Sequence, residues 1–287
     1  MPQLTAKTLI KGALDLCSLP DIYFQIREMI RDPRFSMNDI GLVLAKDPAL
    51  SIRVLKIVNS SFYGFPARVD TISRAVTIIG IDDLESLILA TSVVDTFKKI
   101  PSEIINMTDF WMRSVSCALI AKLLAKKSAI LHSDRLFLAG LLHNIGALVI
   151  YQKLPEKACR ILMLAQGDRC LITGLEQEIM GFNYAEVGAE LIHDWGLPDS
   201  LAETIRWQLN PCAAQTNKTD AHLLYLAVKL TDMVDMDTNV EEVLSAAPDS
   251  TLRTLGLTEF QVKQAVSLAV DEFKSTFDLL SPGKKFH

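Results

Sequence analysis

The 287-residue sequence contains no glycine-rich phosphate loop: neither G-x-G-x-x-G nor G-x-x-x-x-G-K-S/T occurs, and Gly12, Gly41 and Gly64 stand alone. Such loops aim backbone amides at a phosphate, so the common dinucleotide and P-loop designs lose support. A G-x-S-x-G elbow is also missing, which removes the serine-hydrolase design built on it. Cysteine is sparse and unpatterned. Cys17, Cys117, Cys159, Cys170 and Cys212 are odd in number, show no C-x-x-C spacing and mostly lie in apolar surroundings, so free thiols in a reducing compartment are expected. There is no excess of positive charge: 29 basic against 34 acidic residues give −5. The doublets Lys98-Lys99, Lys126-Lys127 and Lys284-Lys285 read as solvated surface, so no nucleic-acid partner is expected. Lys11 and Asp15 interrupt the N-terminal apolar stretch, which argues against a signal peptide. The longest apolar run, Leu136 to Tyr151, falls short of the ~20 residues a spanning helix needs. A soluble, cytoplasmic chain with no membrane partner is expected. Strand-like alternation and fixed-period repeats are nearly absent, which disfavours β folds and solenoids.

What the sequence does have is apolar residues at three- and four-residue spacing almost throughout, predicting an all-α protein. Ser36 with Asp39, Asp82 with Glu85, Thr238 with Glu241 and Thr258 with Gln261 resemble capping boxes, and Asp47-Pro48 resembles an N-cap with proline in the first turn. The pattern predicts about fifteen helices: 5–16, 20–31, 36–45, 48–59, 71–79, 83–98, 109–129, 134–153, 155–166, 173–180, 184–195, 198–209, 219–235, 240–246 and 258–280. Short helices fill the chain to about residue 100. Longer ones follow Pro101 as far as Pro211, and a C-terminal helical portion comes after the polar link near Gln215.

The stretch LFLAGLLHNIGALVIY (Leu136–Tyr151) organises the rest. Read as one helix, it places Ala139, Gly140, His143, Gly146 and Ala147 on one side and bulky aliphatics on the other. The small residues are expected to leave room beside the imidazole of His143. The other histidines offer less: His193-Asp194 is the one literal His-Asp pair, but it falls at a helix end, where His193 complements the terminal carbonyls. The aromatics Phe62, Tyr63 and Phe65, in the turn-rich loop that starts at Asn59, either stack on a ligand or pin the loop to the core, the second being favoured.

Several blocks together carry a family resemblance: Leu19-Pro20, DPALSIRVLKIVNSSFYG (Asp47–Gly64), Ile72, Ala75, Val76 and Gly80, Trp111 and Ser114, AGLLHNIG (Ala139–Gly146), and Glu178 leading into YAEVGAELIHDWGLP (Tyr184–Pro198). From about Leu19 to Pro211 the chain resembles the HDOD domain, a bacterial regulatory branch of the HD superfamily of metal-dependent phosphohydrolases. The resemblance implies a multi-helix HD-like bundle with an N-terminal subdomain of short helices. The expected organisation is an N-terminal helix (1–18), the HDOD domain (19–212, divided into 19–100 and 101–212) and a C-terminal helical extension (213–287). In catalytic relatives a histidine on an early helix, the His-Asp pair and a later aspartate hold the metal. Here the matching positions are Arg113, His143, Asn144, Tyr184, Gln208 and Asp232, and only His143 keeps its ligand type clearly. The resemblance therefore implies a vestigial site with no catalytic residues, no metal and no cofactor. Arg113 is expected to pair internally with Asp232 or Glu186 in preference to holding an anionic ligand.

The leading expectation is a non-catalytic signal-transduction scaffold acting through protein partners, with a small anionic ligand as a further option. The rivals are a metal-dependent phosphohydrolase using His143 and Asp232, and a nucleotide or cyclic-dinucleotide sensor contacting Arg113 and the loop of Asn59, Phe62, Tyr63 and Phe65.

Overall fold

The computed structural model describes residues 4–13, 19–59, 69–97, 100, 104–128, 130, 133–235 and 239–280. Every regular element among them is helical: α1 Ala6–Lys11, α2 Asp21–Arg31, α3 Met37–Leu44, α4 Pro48–Val58, α5 Ile72–Ile79, α6 Ile81–Thr96, α7 Met107–Lys127, α8 Ser133–Leu142, α9 Ile145–Lys153, α10 Pro155–Ala165, α11 Arg169–Met180, α12 Tyr184–Asp194, α13 Asp199–Arg206, a 3₁₀ turn Pro211–Ala213, α14 Lys218–Asp235, α15 Val240–Ala246, α16 Asp249–Leu255 and α17 Glu259–Leu280.

Local chemistry starts many of these helices. Ser36 and Asp39 form a capping box, Asp47 accepts from the Leu50 amide ahead of Pro48, and Thr258 and Gln261 exchange bonds across the first turn of α17. Two expected boxes are displaced. α6 begins at Ile81 with Gly80 as its cap, and the cap of α15 is Asn239, whose side chain accepts from the Glu242 amide. Gly80 also ends α5, and its φ of 88° with ψ of 168° serves both helices in a backbone region that L side chains rarely enter.

The chain divides into two compact units. One contains α2 to α6 and the end of α17; the other contains α1, α7 to α16 and the first half of α17. In the first unit, Tyr23, Ile26, Ile40, Leu44, Leu50, Leu84 and Ile88 are buried, and α6 receives α2, α4 and α5. In the second, α7 is the centre. Phe110, Trp111, Val115, Ala118, Leu119, Ala121 and Leu124 bury it nearly all round, as expected of an interior helix. It packs along α8 and α14, while α12 bridges α9, α13 and α1. Expected residues 213–287 thus contribute α14 directly to the core built on α7.

The expected helix 134–153 is corrected. His143 and Asn144 form a turn between α8 and α9, so the 3.6-residue period breaks where the chemistry sits. The small residues do not leave open space either. A Cβ on Gly140 would lie 2.5 Å from the Ala118 Cα of α7, and one on Gly146 would strike the Tyr184 carbonyl and Gly188 amide of α12. These glycines permit close helix crossings. By length and composition Ser133–Lys153 could cross a membrane, which is longer than the sequence reading allowed, but most of it is buried among the other helices. α11 starts at Arg169, four residues before the expected helix at 173, and α16 was not expected.

Candidate functional site

The turn at His143-Asn144 is held from three sides. The His143 ring Nδ1 lies 2.6 Å from the Gly140 carbonyl, so Nδ1 carries the proton and donates it, and Nε2 is left with its lone pair. Burial drives the imidazole pKa down to about 3; the cations of Arg113 and Arg169 push the same way, and the Gly140 bond opposes them. His143 is neutral at ordinary pH. Its own carbonyl accepts from Gln208 Nε2 at 2.6 Å, and that amide nitrogen also donates to the Ile205 carbonyl at 2.9 Å. Gln208 thereby clamps the turn from α13's end, while its Oε1 is buried with no partner among the described residues.

Asn144 faces α7. Ser114 Oγ is 3.1 Å from Asn144 Oδ1 and 3.0 Å from the Phe110 carbonyl, and its single proton serves one acceptor at a time. The residue before Ser114, Arg113, pairs through Nη2 with Asp232 Oδ1 of α14. Both side chains are largely buried, at 12% and 15% exposed. The expected internal pair of Arg113 is thus found, and Asp232 is its acceptor. Glu186, the other candidate, completes a capping box with Asn183. Tyr184 begins α12, and burial with the charges of Asp232 and Glu176 raises its phenol pKa well above the usual value.

These groups border a cavity of about 320 Å³, at the small end of ligand pockets. Of the six residues read from the sequence, five line it: Arg113, His143, Asn144, Tyr184 and Asp232. Gln208 acts behind the wall. Asn59 instead makes bonds to both the amide and carbonyl of Val69, at 2.7 and 2.6 Å, and Phe62, Tyr63 and Phe65 lie outside the described residues. The sequence reading missed Glu176, Arg169 and Lys229, which also line the cavity. Glu176 is 2% exposed; one oxygen accepts the Tyr184 amide at 2.8 Å, and burial pushes its pKa up to about 7 against that bond. No spacing distinguishes Glu176 from its exposed neighbour Glu178.

The donor set does not fit the metal held by the catalytic relatives of the HD superfamily. Asp232 is engaged by a guanidinium, Asn144 is a neutral amide whose oxygen meets Ser114, and His143 is the one remaining strong neutral donor. A divalent ion ~4 Å from Arg113 would meet a repulsion on the order of 8 kcal/mol at an effective dielectric of ~20. Among the described residues no cluster of three or more His, Cys, Asp or Glu side chains could hold a metal.

The family model that matches is the HDOD domain, over residues 16–211. A solved candidate phosphohydrolase of Shewanella amazonensis SB2B is 25% identical, with 95% of this chain and 98% of that chain covered and a TM-score of 0.77. An HDOD domain protein from Geobacter sulfurreducens shares the fold at 23% identity, covering 96% and 97% of the two chains at a TM-score of 0.78. An uncharacterised protein of Treponema pallidum (strain Nichols) is 28% identical over 233 residues, 80% of this chain and 44% of that protein. The chain therefore spans less than half the length of that relative.

Proposed function

On the premise that the chain belongs to the HDOD domain family over residues 16–211, we propose that it is a non-catalytic, cytoplasmic regulatory protein that acts through protein partners. The observation that carries this reading is the Arg113–Asp232 pair. In the catalytic relatives the resemblance points to, the later aspartate holds a metal cation; here a covalently tethered guanidinium is the cation on that carboxylate. Arginine stays protonated at any physiological pH and presents a planar fork that suits a carboxylate. The charge that a metal would supply is present, but the Lewis acidity that would activate a water is not. Burial strengthens the exclusion, because a divalent ion would have to displace a paired guanidinium from a half-closed cavity. The packing supports a scaffold role: Gly140, Gly146 and Gln208 preserve the close crossings and the turn around His143 although the ligand set has changed.

Elemental analysis of purified protein, with assay of phosphodiester hydrolysis in magnesium and manganese, tests the reading. The native chain is expected to carry no stoichiometric transition metal and to show no metal-dependent turnover. Stoichiometric metal with turnover would establish the phosphohydrolase instead. The double variant Arg113→His, Asn144→Asp supplies two metal-type donors and is expected to take up manganese where the native chain does not.

A further inference from the structure

Three cations line the cavity, Arg113, Arg169 and Lys229, and three carboxyls face them, Asp109, Asp232 and Glu176. Asp109 and Arg169 are the exposed members, one of each sign. With Glu176 ionised the wall carries no net charge, although the chain as a whole carries −5. The balance holds locally as well. At the Tyr184 phenol, Asp232 and Glu176 act against Arg113, and at the Tyr151 phenol Glu176 acts against Arg169. A charged ligand would lose its hydration here with no countercharge to replace it, whereas an uncharged one needs only hydrogen bonds.

Hydrogen-bonding capacity is what the wall has left over. His143 and Asn144 follow one another in the turn and both line the cavity. The imidazole is 4% exposed, and its Nδ1 is spent on the Gly140 carbonyl, which leaves Nε2 as an acceptor. Asn144 Oδ1 meets the Ser114 hydroxyl, which leaves the amide N–H groups as donors. An acceptor beside a donor matches a ligand edge that carries an N–H beside a carbonyl. Glu176 uses one oxygen on the Tyr184 amide, and the Tyr151 and Tyr184 hydroxyls have no hydrogen-bond partner among the described residues. The rings of Phe110, Tyr151 and Tyr184 give the same wall aromatic surface for a planar ligand.

We propose that the cavity binds an uncharged planar heterocycle, a purine or pyrimidine base or its nucleoside, whose edge donates an N–H to His143 Nε2 and accepts from the Asn144 amide at the neighbouring carbonyl. The proposal rests on the non-catalytic reading, because a bound metal would take the His143 lone pair that the heterocycle uses. It differs from a nucleotide sensor contacting Arg113 in needing no phosphate, since Asp232 occupies that guanidinium. A volume of about 320 Å³, at the small end of ligand pockets, suits a fused-ring base.

Isothermal titration of the full chain at pH 8, above the Glu176 pKa of about 7, tests it with inosine and uridine as probes. Saturable binding of at least one is expected. Its methylated form, 1-methylinosine or 3-methyluridine, lacks the N–H and should bind at least tenfold more weakly. His143→Ala and Asn144→Ala should each weaken the parent nucleoside at least tenfold, while His193→Ala, exposed and outside the cavity wall, should not. The methylated probes are read on the native chain, so the test survives a variant that does not fold. The proposal is overturned if neither nucleoside binds, if the methylated form binds as well as its parent, or if binding is unchanged in either turn variant. It is equally overturned if myo-inositol matches the nucleosides, marking a polyol site, or if inosine 5′-monophosphate binds tighter than inosine, marking a phosphate site. Metal content and hydrolysis measured on the same preparation separate the two readings: metal with turnover defeats the non-catalytic one, whereas a silent titration of metal-free, inactive protein defeats only the heterocycle site.

Discussion

Glu176 and His143 border the same cavity, and burial moves their proton affinities in opposite directions because each resists becoming charged. Their effects on stability therefore oppose one another. The carboxyl of Glu176, raised from 4.5 to about 7, binds its proton more tightly in the folded chain. Its contribution is full below pH 4.5 and is lost as pH rises through about 7, on the order of 3 kcal/mol in total. His143, lowered from 6.5 to about 3, contributes above pH 6.5 and loses that contribution as pH falls toward 3. Glu176→Gln keeps an acceptor for the Tyr184 amide without a titrating proton. Its stability relative to the native chain should rise as pH goes from 4.5 to 7, measured by chemical denaturation across that range; parallel pH profiles would remove the buried-acid account. His143→Ala should cost roughly 1–3 kcal/mol, since the Gly140 carbonyl is left without its imidazole donor. His143 was legible in the sequence because it sits in AGLLHNIG, Ala139 to Gly146, and keeps the ligand type of the catalytic relatives. Glu176 was not, because only burial separates it from Glu178, and its bond to the Tyr184 amide at the start of α12 is no part of a sequence pattern.

At the scale of the helix, the caps were legible where a side chain and the amide it binds are neighbours in sequence, as at Ser36 with Asp39 and Thr258 with Gln261. The break between α8 and α9 was not. The apolar period runs through His143-Asn144 without interruption, and the turn is stabilised by Gln208, 65 residues away. The purpose of the glycines was likewise hidden, since small size is compatible with an open face or with a close crossing, and only the partner helix decides. Gly140 faces the backbone of α7 and Gly146 that of α12, and backbone cannot move aside as a flexible side chain can. Gly140→Leu and Gly146→Leu should each destabilise the protein by about 3 kcal/mol or more, at or above the usual cost of overpacking. Gly174 provides the contrast: it lies inside α11 with nothing within 4 Å of an added Cβ. Gly174→Ala should stabilise by about 0.5–1 kcal/mol through helix propensity alone. Melting curves of the three variants check the contrast, and equal effects at Gly146 and Gly174 would deny the close crossing.

At the scale of the molecule, the family match ends at residue 211, but the core does not. α14 follows the match and lies against α7, α8 and α13. Leu223, Leu224, Leu226 and Leu230 on it are all 0% exposed, and Asp232 at its far end holds Arg113. A sequence reading that treats everything after 212 as an extension follows the motifs, which cluster in 19–211; burial follows the packing of α7, which motifs do not report. At ~2 kcal/mol for each leucine removed from water, the four side chains alone account for about 8 kcal/mol, comparable to the whole stability of an ordinary domain. Losing α14 would also take from the largely buried Arg113 guanidinium the carboxylate it pairs with, a further cost that truncation adds to the exposed apolar face. A fragment of residues 1–212 should therefore fail to fold the unit built on α7, giving low soluble yield and no cooperative melt by circular dichroism, while the full chain melts cooperatively. A fragment that melts within a few degrees of the full chain would show that α14 only decorates a bundle complete at residue 212. Co-expressing residues 213–287 with the fragment should recover the fold, because α14 then supplies both the buried leucines and the carboxylate.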